Sequence, residues 1–131
     1  MIVLDASVAI AHLSPEDAQH DLASNLLCSV AGEDLVMHPL HLAEVLVGGV
    51  RAGRGRELLV DLEDMGVACA WPAGETPGAA ALRLAELRVR LGLKLPDCCA
   101  LDAALSTGST LATLDRELAD VARSLHLAAV P

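Results

Sequence analysis

Four carboxylates occupy places from which they could act on a substrate together. Asp5 ends the apolar run Ile2-Val3-Leu4, Glu44 lies among Leu42, Ala43, Val45, Leu46 and Val47, Asp97 follows Leu95-Pro96, and Asp115 follows the segment Thr110–Leu114. Singly, three of them have a structural use, since Asp is favoured at helix starts and Asp5, Asp97 and Asp115 all stand at one. Glu44 is harder to explain that way, because an unpaired carboxylate is rarely buried among apolar neighbours. Convergence would create a conflict: two carboxylates ~4 Å apart repel by about 4 kcal/mol at an effective dielectric near 20. A fold that gathers four of them therefore needs a cation. Hard oxygen donors select Mg²⁺ or Mn²⁺ over zinc, and Mg²⁺ typically sits on one or two carboxylates plus a substrate phosphate. The chemistry to expect is hydrolysis of a phosphodiester.

The elements that must position these acids can be read from the apolar pattern. Residues 2–5 predict a buried strand running directly into a helix that reaches Leu13. Ser14-Pro15-Glu16-Asp17 predicts a helix start with Ser14 as cap and Pro15 in the first turn, and Gly32 ends that helix. Leu35-Val36-Met37 predicts a second strand closed by His38-Pro39, followed by a helix carrying Leu42, Val45, Leu46 and Val50, and with them Glu44. Residues 57–65 predict a short helix and 67–70 a strand, after which Trp71-Pro72-Ala73-Gly74 breaks the chain. A long helix is expected over 77–91, closed by Gly92. Another starts at Pro96-Asp97 and runs through Leu105, with Gly108 beyond it. Strand 110–114, a helix from Asp115 through Leu125 and strand 127–130 complete the order. Strands alternating with helices predict an α/β fold, a central parallel sheet with helices on both faces. In such sheets ligands sit outside the carboxyl ends of the strands, which is where Asp5 and Asp115 stand.

Composition narrows the function classes. At 131 residues and 13.5 kDa the chain suits one domain, residues 1–131, and a hydrophobic fraction of 53% excludes intrinsic disorder. Trp71 is the sole aromatic residue, which removes the stacking platforms of many single-strand nucleic-acid binders. No stretch suits a membrane span, and no basic segment precedes an apolar one at the start, so a soluble cytoplasmic protein with reduced thiols is expected from Cys28, Cys69, Cys98 and Cys99. The formal charge of −9 disfavours anionic partners unless a cation reverses the field locally.

Other constellations are weaker. His38, His41 and His126 with Cys69 lack zinc-ligand spacing beyond the three-residue step from His41 to Glu44, so surface histidines are the expectation. Gly49 to Gly55 lacks the ending of a phosphate loop, and Cys98-Cys99 suits core packing. Asp102, five residues after Asp97, points away from it and is expected to be solvated or salt-bridged. Arg51, Arg54 and Arg56 form the densest basic group, a candidate contact for RNA or for a protein partner, whereas Arg83, Arg88, Arg90 and Lys94 suit a solvated face. Asp5-Ala6-Ser7 lacks the second Asp that a haloacid-dehalogenase-like phosphatase would need. A receiver-like regulatory domain is the competing class, although Lys94, the single lysine, precedes a helix instead of lying on a late strand.

Four blocks together resemble the PIN-domain proteins, and within them the VapC-type ribonuclease toxins of type II toxin–antitoxin pairs. The blocks are IVLDASV with Asp5 and Ser7, HPLHLAEVL with Glu44, LPDCCALDAAL with Asp97, and STLATLDREL with Thr113 and Asp115. The resemblance spans nearly the whole chain. It implies an acidic pocket of Asp5, Glu44, Asp97 and Asp115 that binds Mg²⁺ or Mn²⁺, supported by the hydroxyls of Ser7 and Thr113. Implied with it are endoribonuclease activity on tRNA or ribosomal RNA, a homodimer or larger toxin–antitoxin complex, and a VapB-like antitoxin. It leaves open one or two ions, and any of the four carboxylates as the general base. Leu118 stands where many members carry an aromatic residue, a difference of packing. A catalytically silent PIN-like module is the remaining alternative.

Overall fold

In the computed structural model, which describes residues 1–69 and 74–131, the short apolar runs pair into one sheet. Its strands are β1 (Ile2–Leu4), β2 (Leu35–Met37), β3 (Val67–Cys69), β4 (Thr110–Ala112) and β5 (Ala129–Val130). They lie in the order β3-β2-β1-β4-β5, and all neighbours are parallel. In the centre, Val3 stands opposite Val36 on one side and Leu111 on the other. Successive strand residues face opposite sides, and the core divides accordingly. Ile2 and Leu4 join Val8, Leu26, Met37 and Val45 under α1 (Ala6–Leu13), α2 (His20–Ser29), α3 (Pro39–Arg51) and α4 (Gly55–Asp64). Val3 joins Val36, Leu87, Leu101, Leu111 and Leu118 under α5 (Pro77–Leu91), α6 (Leu95–Thr107) and α7 (Arg116–Ser124). The expected parallel sheet with helices on both faces is therefore the observed one. Leu118 is fully buried, filling with an aliphatic side chain the place noted above.

Local punctuation fixes several helix ends. Pro77 opens α5 behind Thr76, whose hydroxyl accepts from the Ala79 N–H at 3.3 Å, and Gly92 ends it in the left-handed region at φ +71°. At the α3–α4 corner the helices pack closely over Gly49, where a Cβ would lie 2.9 Å from Leu58 Cδ2 and 3.2 Å from Leu58 Cβ, so a side chain there would require Leu58 to shift.

The predicted helix start at Ser14 is a correction. Ser14 instead closes α1, its N–H donating to the Ala11 carbonyl, and α2 begins only at His20, without a side-chain cap. Between them the Asp17 N–H donates to Ser14 O at 2.9 Å and the Gln19 N–H to Asp17 Oδ1 at 2.8 Å. An aspartate that bonds its own backbone two residues on favours a turn over a helix, and that preference wins here. The predicted break at Trp71-Pro72-Ala73 lies outside the described residues. Among the described residues no helix is long and apolar enough to cross a membrane.

Strand order reverses between β1 and β4, the place where an open α/β sheet leaves a crevice at its carboxyl edge. Asp5 and Thr113 are the residues that follow those two strands.

Candidate active site

The site is built from the chain's exit from β1. Asp5 takes the N-cap position of α1, but its carboxylate makes no capping bond. It is held in the crevice: Oδ2 accepts from the Ser7 hydroxyl at 2.5 Å and the Thr113 hydroxyl at 2.8 Å, and Oδ1 lies 2.9 Å from His41 Nδ1. Ser7 and Thr113 also fasten the β4 exit, because the Ser7 hydroxyl accepts from the Leu114 N–H and the Thr113 hydroxyl from the Asp115 N–H. Burial would raise the Asp5 pKa, but hydrogen bonds from His41, Ser7 and Thr113, with the charge on His41, outweigh it and hold the carboxyl below its ordinary value. Asp5 is thus a buried, ionised carboxylate with a fixed orientation.

Asp97 sits half-buried in the first turn of α6, and its pKa is raised, first by burial and then by the charges of Asp115 and Asp5. Asp97 therefore feels the charges of Asp5 and Asp115 across the crevice. Asp115 is exposed and spends Oδ1 on capping α7, accepting from the Leu118 N–H at 3.1 Å. Its structural role as a cap is realised, with Oδ2 free of that duty.

Glu44 and His41 exchange the places expected of them. Glu44 is exposed, with 42% of its side chain accessible, because α3 turns Ala43 and Val47 outward as well. Apolar neighbours in sequence did not mean burial. His41, expected at the surface, is 1% accessible. Its Nε2 donates to the Pro96 carbonyl at 2.7 Å, while Nδ1 faces the Ala6 N–H at 3.0 Å, Asp5 Oδ1 at 2.9 Å and Glu44 Oε2 at 3.5 Å. The neutral ring accepts from Ala6, and the protonated ring donates to Asp5. Burial opposes its charge, but the bonds to Asp5 and Pro96 and the charges of Asp5 and Glu44 prevail, so its pKa is raised. The signal in the sequence was its position: His41 lies one helical turn before the buried Val45, on the same face of α3.

A family model described as PIN domain matches residues 2–124. The chain belongs to the PIN domain family. No curated protein matches it. Among solved structures it is similar to FitAcB from Neisseria gonorrhoeae, at 20% identity over 100% of this chain and 97% of that one, with a TM-score of 0.69. FitAB bound to an IR36 DNA fragment gives 20% identity over 99% and 94%, with a TM-score of 0.68. PAE2754 from Pyrobaculum aerophilum gives 22% identity over 91% and 84%, with a TM-score of 0.55. These likenesses are of fold. Membership sets aside the receiver-like alternative.

Within this PIN domain the donors suit a hard divalent cation in kind: oxygen atoms of carboxylates, with hydroxyls bonded to Asp5 that fix its orientation. Among the described residues, no three His, Cys, Asp or Glu side chains are gathered around a point as they stand. Asp5 is the buried, fixed member of the set, whereas Asp97 is half-buried and Asp115 and Glu44 are exposed. The His38, His41, His126 and Cys69 set forms no cluster either.

The remaining predicted residues divide. Arg51, Arg54 and Arg56 are exposed at the α3–α4 corner, and Arg51 shares with Glu44 a cleft of about 400 Å³. Arg54 is paired with Glu57 at 2.8 Å. Of the second basic group, Arg83 is bound to Glu75 and Asp102, and Arg88 Nη1 donates to the Leu93 carbonyl at 2.7 Å. Lys94 alone of that group bears on the site, lowering the pKa of Asp97 against its raised trend. Cys98 and Cys99 are buried in α6, and burial pushes the Cys99 thiol up to about 11.

Proposed function

We propose that this PIN domain is a Mg²⁺- or Mn²⁺-dependent endoribonuclease of the VapC type, the toxin of a toxin–antitoxin pair, acting in the cytoplasm on structured RNA such as tRNA or rRNA. The observation that carries the reading is the use made of Asp5, which stands at a helix N-cap yet makes no capping bond with its carboxylate. Three donors hold it in the crevice at the sheet's switch point, within electrostatic reach of Asp97. Asp5 and Asp97 would be the main ligands, with Asp115 and Glu44 completing the pocket directly or through water. When bound, the cation offsets charge on the scissile phosphate and makes a water more acidic. The protein's own part is orientation and proton removal: Ser7 and Thr113 fix the Asp5 carboxylate, and a carboxylate oxygen of the quartet takes the proton of the attacking water. A homodimer neutralised by a VapB-like antitoxin belongs to the same reading.

Purified, antitoxin-free protein incubated with total bacterial RNA is expected to give discrete fragments with Mg²⁺ or Mn²⁺ and none with chelator. Intact RNA after incubation with folded, metal-loaded protein would favour the catalytically silent alternative. The same cation should stabilise the fold, because it relieves the repulsion among the carboxylates. At about 100 times its Kd, Mn²⁺ contributes about 2.7 kcal/mol, read as a rise in melting temperature that chelator reverses.

Phosphate contacts come, in this reading, from the α3–α4 corner. Replacing Arg51 and Arg56 with Gln is expected to weaken RNA binding and lower the slope of log K against log salt by roughly 1 to 2. Arg54→Gln should change the slope least, since Glu57 already engages that guanidinium. Equal slopes for the Arg51/Arg56 variant and wild type would remove the corner from the RNA path.

A further inference from the structure

We infer that His41 is a positioning residue for the cation pocket: its buried ring sets the orientation of the Asp5 carboxylate and the spacing between the elements that carry Asp5, Glu44 and Asp97. The inference rests on the metal-dependent reading above and deepens it.

One imidazole reaches three elements. His41 belongs to α3, three residues before Glu44. Its Nδ1 faces Asp5 Oδ1 and the Ala6 N–H where β1 passes into α1, and its Nε2 donates to the carbonyl of Pro96, the residue before Asp97 in α6. The ring therefore fastens the β1 exit and the first turn of α6 to α3, with one hydrogen bond on each side. It also occupies the place that a cap would take: the Ala6 N–H, which Asp5 leaves uncapped, points at His41 Nδ1 instead. Asp5 is thereby released from capping: its Oδ2 takes the Ser7 and Thr113 hydroxyls, and its Oδ1 lies 2.9 Å from the buried His41 ring, which bounds the carboxylate from the other side. Groups that orient a metal-binding carboxylate typically alter metal affinity 10- to 100-fold when removed.

Mn²⁺ binding to the purified full chain, followed by calorimetric titration and by the Mn²⁺ electron paramagnetic resonance signal, tests this directly. His41→Leu is expected to bind Mn²⁺ roughly 10- to 100-fold more weakly than wild type. His41→Asn places an amide near the position of Nδ1, beside Asp5 and Ala6, and should recover affinity to within about 3-fold, taking an amide hydrogen bond as nearly equivalent. His41→Gln places its amide near Nε2, keeping the tie to Pro96 while losing the group beside Asp5. It is expected to melt close to wild type and still bind weakly, a separation that a purely structural role would not produce. Should the leucine variant not fold, the Asn and Gln variants decide alone. Wild-type affinity in a folded His41→Gln variant would overturn the inference while leaving the metal-dependent reading in place. Failure of the wild type itself to bind Mn²⁺ would overturn both.

Discussion

Asp97→Asn is expected to abolish metal-dependent RNA cleavage and, at the same time, to raise the melting temperature of the metal-free protein. The two effects have one cause. Asp97 is held half-buried opposite Asp5 and Asp115, and its pKa is raised by burial and by their charges, so the ionised form is disfavoured in the fold. A carboxyl with a raised folded pKa destabilises the native state at neutral pH, and the penalty fades as pH falls through that raised value. Asparagine removes the charge and keeps the shape. Because Asp97 is partly solvated, the relief should be modest, roughly 0.5 kcal/mol, or about 2 °C for a domain of this size. The gain should shrink in melts taken at pH values that fall through the raised pKa of Asp97, as the wild-type carboxyl takes up its own proton. Cleavage responds in the other direction. Losing a main ligand should lower the rate by roughly 10³-fold or more, in line with the loss of a principal electrostatic element of an active site. Asp5→Asn should be as inactive but without the stabilisation, because the Asp5 pKa is depressed by its donors and its charge favours the fold. Full cleavage by a folded Asp97→Asn protein would refute the assignment, and equal melting shifts for the two variants would refute the electrostatic account.

The contrast between these two aspartates shows what the sequence could carry. The places of Asp5 and Asp115 at the sheet's carboxyl edge followed from strand order, since Asp5 directly follows Ile2–Leu4 and Asp115 stands three residues past Thr110–Ala112, whereas Asp97 opens a helix. Helix α5 was legible at both ends because Pro77 and Gly92 act through backbone geometry, which needs no tertiary context. Ser14-Pro15 misled because Ser14 was already committed to closing α1, a competition between neighbouring elements that propensity does not record. Glu44 misled for a similar reason. Its apolar neighbours suggested burial, but α3 leaves Leu40 39% and Val47 45% accessible, so the helix face that carries Glu44 is open. His41 was out of reach by spacing alone: its partners, Ala6, Asp5 and Pro96, lie 35 or more residues away along the chain and meet it only once α1, α3 and α6 pack.

The largest loss of stability is expected away from the crevice, at Arg83→Met. Asp102, on α6 five residues after Asp97, has a side chain only 9% accessible and accepts from Arg83 at Nε (2.6 Å) and Nη2 (2.8 Å). The same guanidinium binds Glu75 just before α5. Methionine would leave two carboxylates facing each other without their shared cation. Breaking a buried pair from one side costs about 3–5 kcal/mol, and partial exposure of Arg83 places this case lower, near 2–3 kcal/mol, or roughly 10 °C in melting temperature. Asp102→Asn keeps an acceptor toward Arg83 and should cost about 1 kcal/mol. Combining Arg83→Met with Asp102→Leu should recover most of the loss, since an apolar pair of similar volume replaces the ionic one without desolvation cost. If the double variant were as unstable as Arg83→Met alone, packing of the Arg83 stem, and not the stranded Asp102 charge, would be the cause. Cleavage measured below the melting transition should be unchanged in all three variants, because Asp102 faces α5 while Asp97 faces the crevice. The same helix would then hold one aspartate for stability, neutralised by a fixed arginine, and another for chemistry, left raised in pKa until a divalent cation neutralises it.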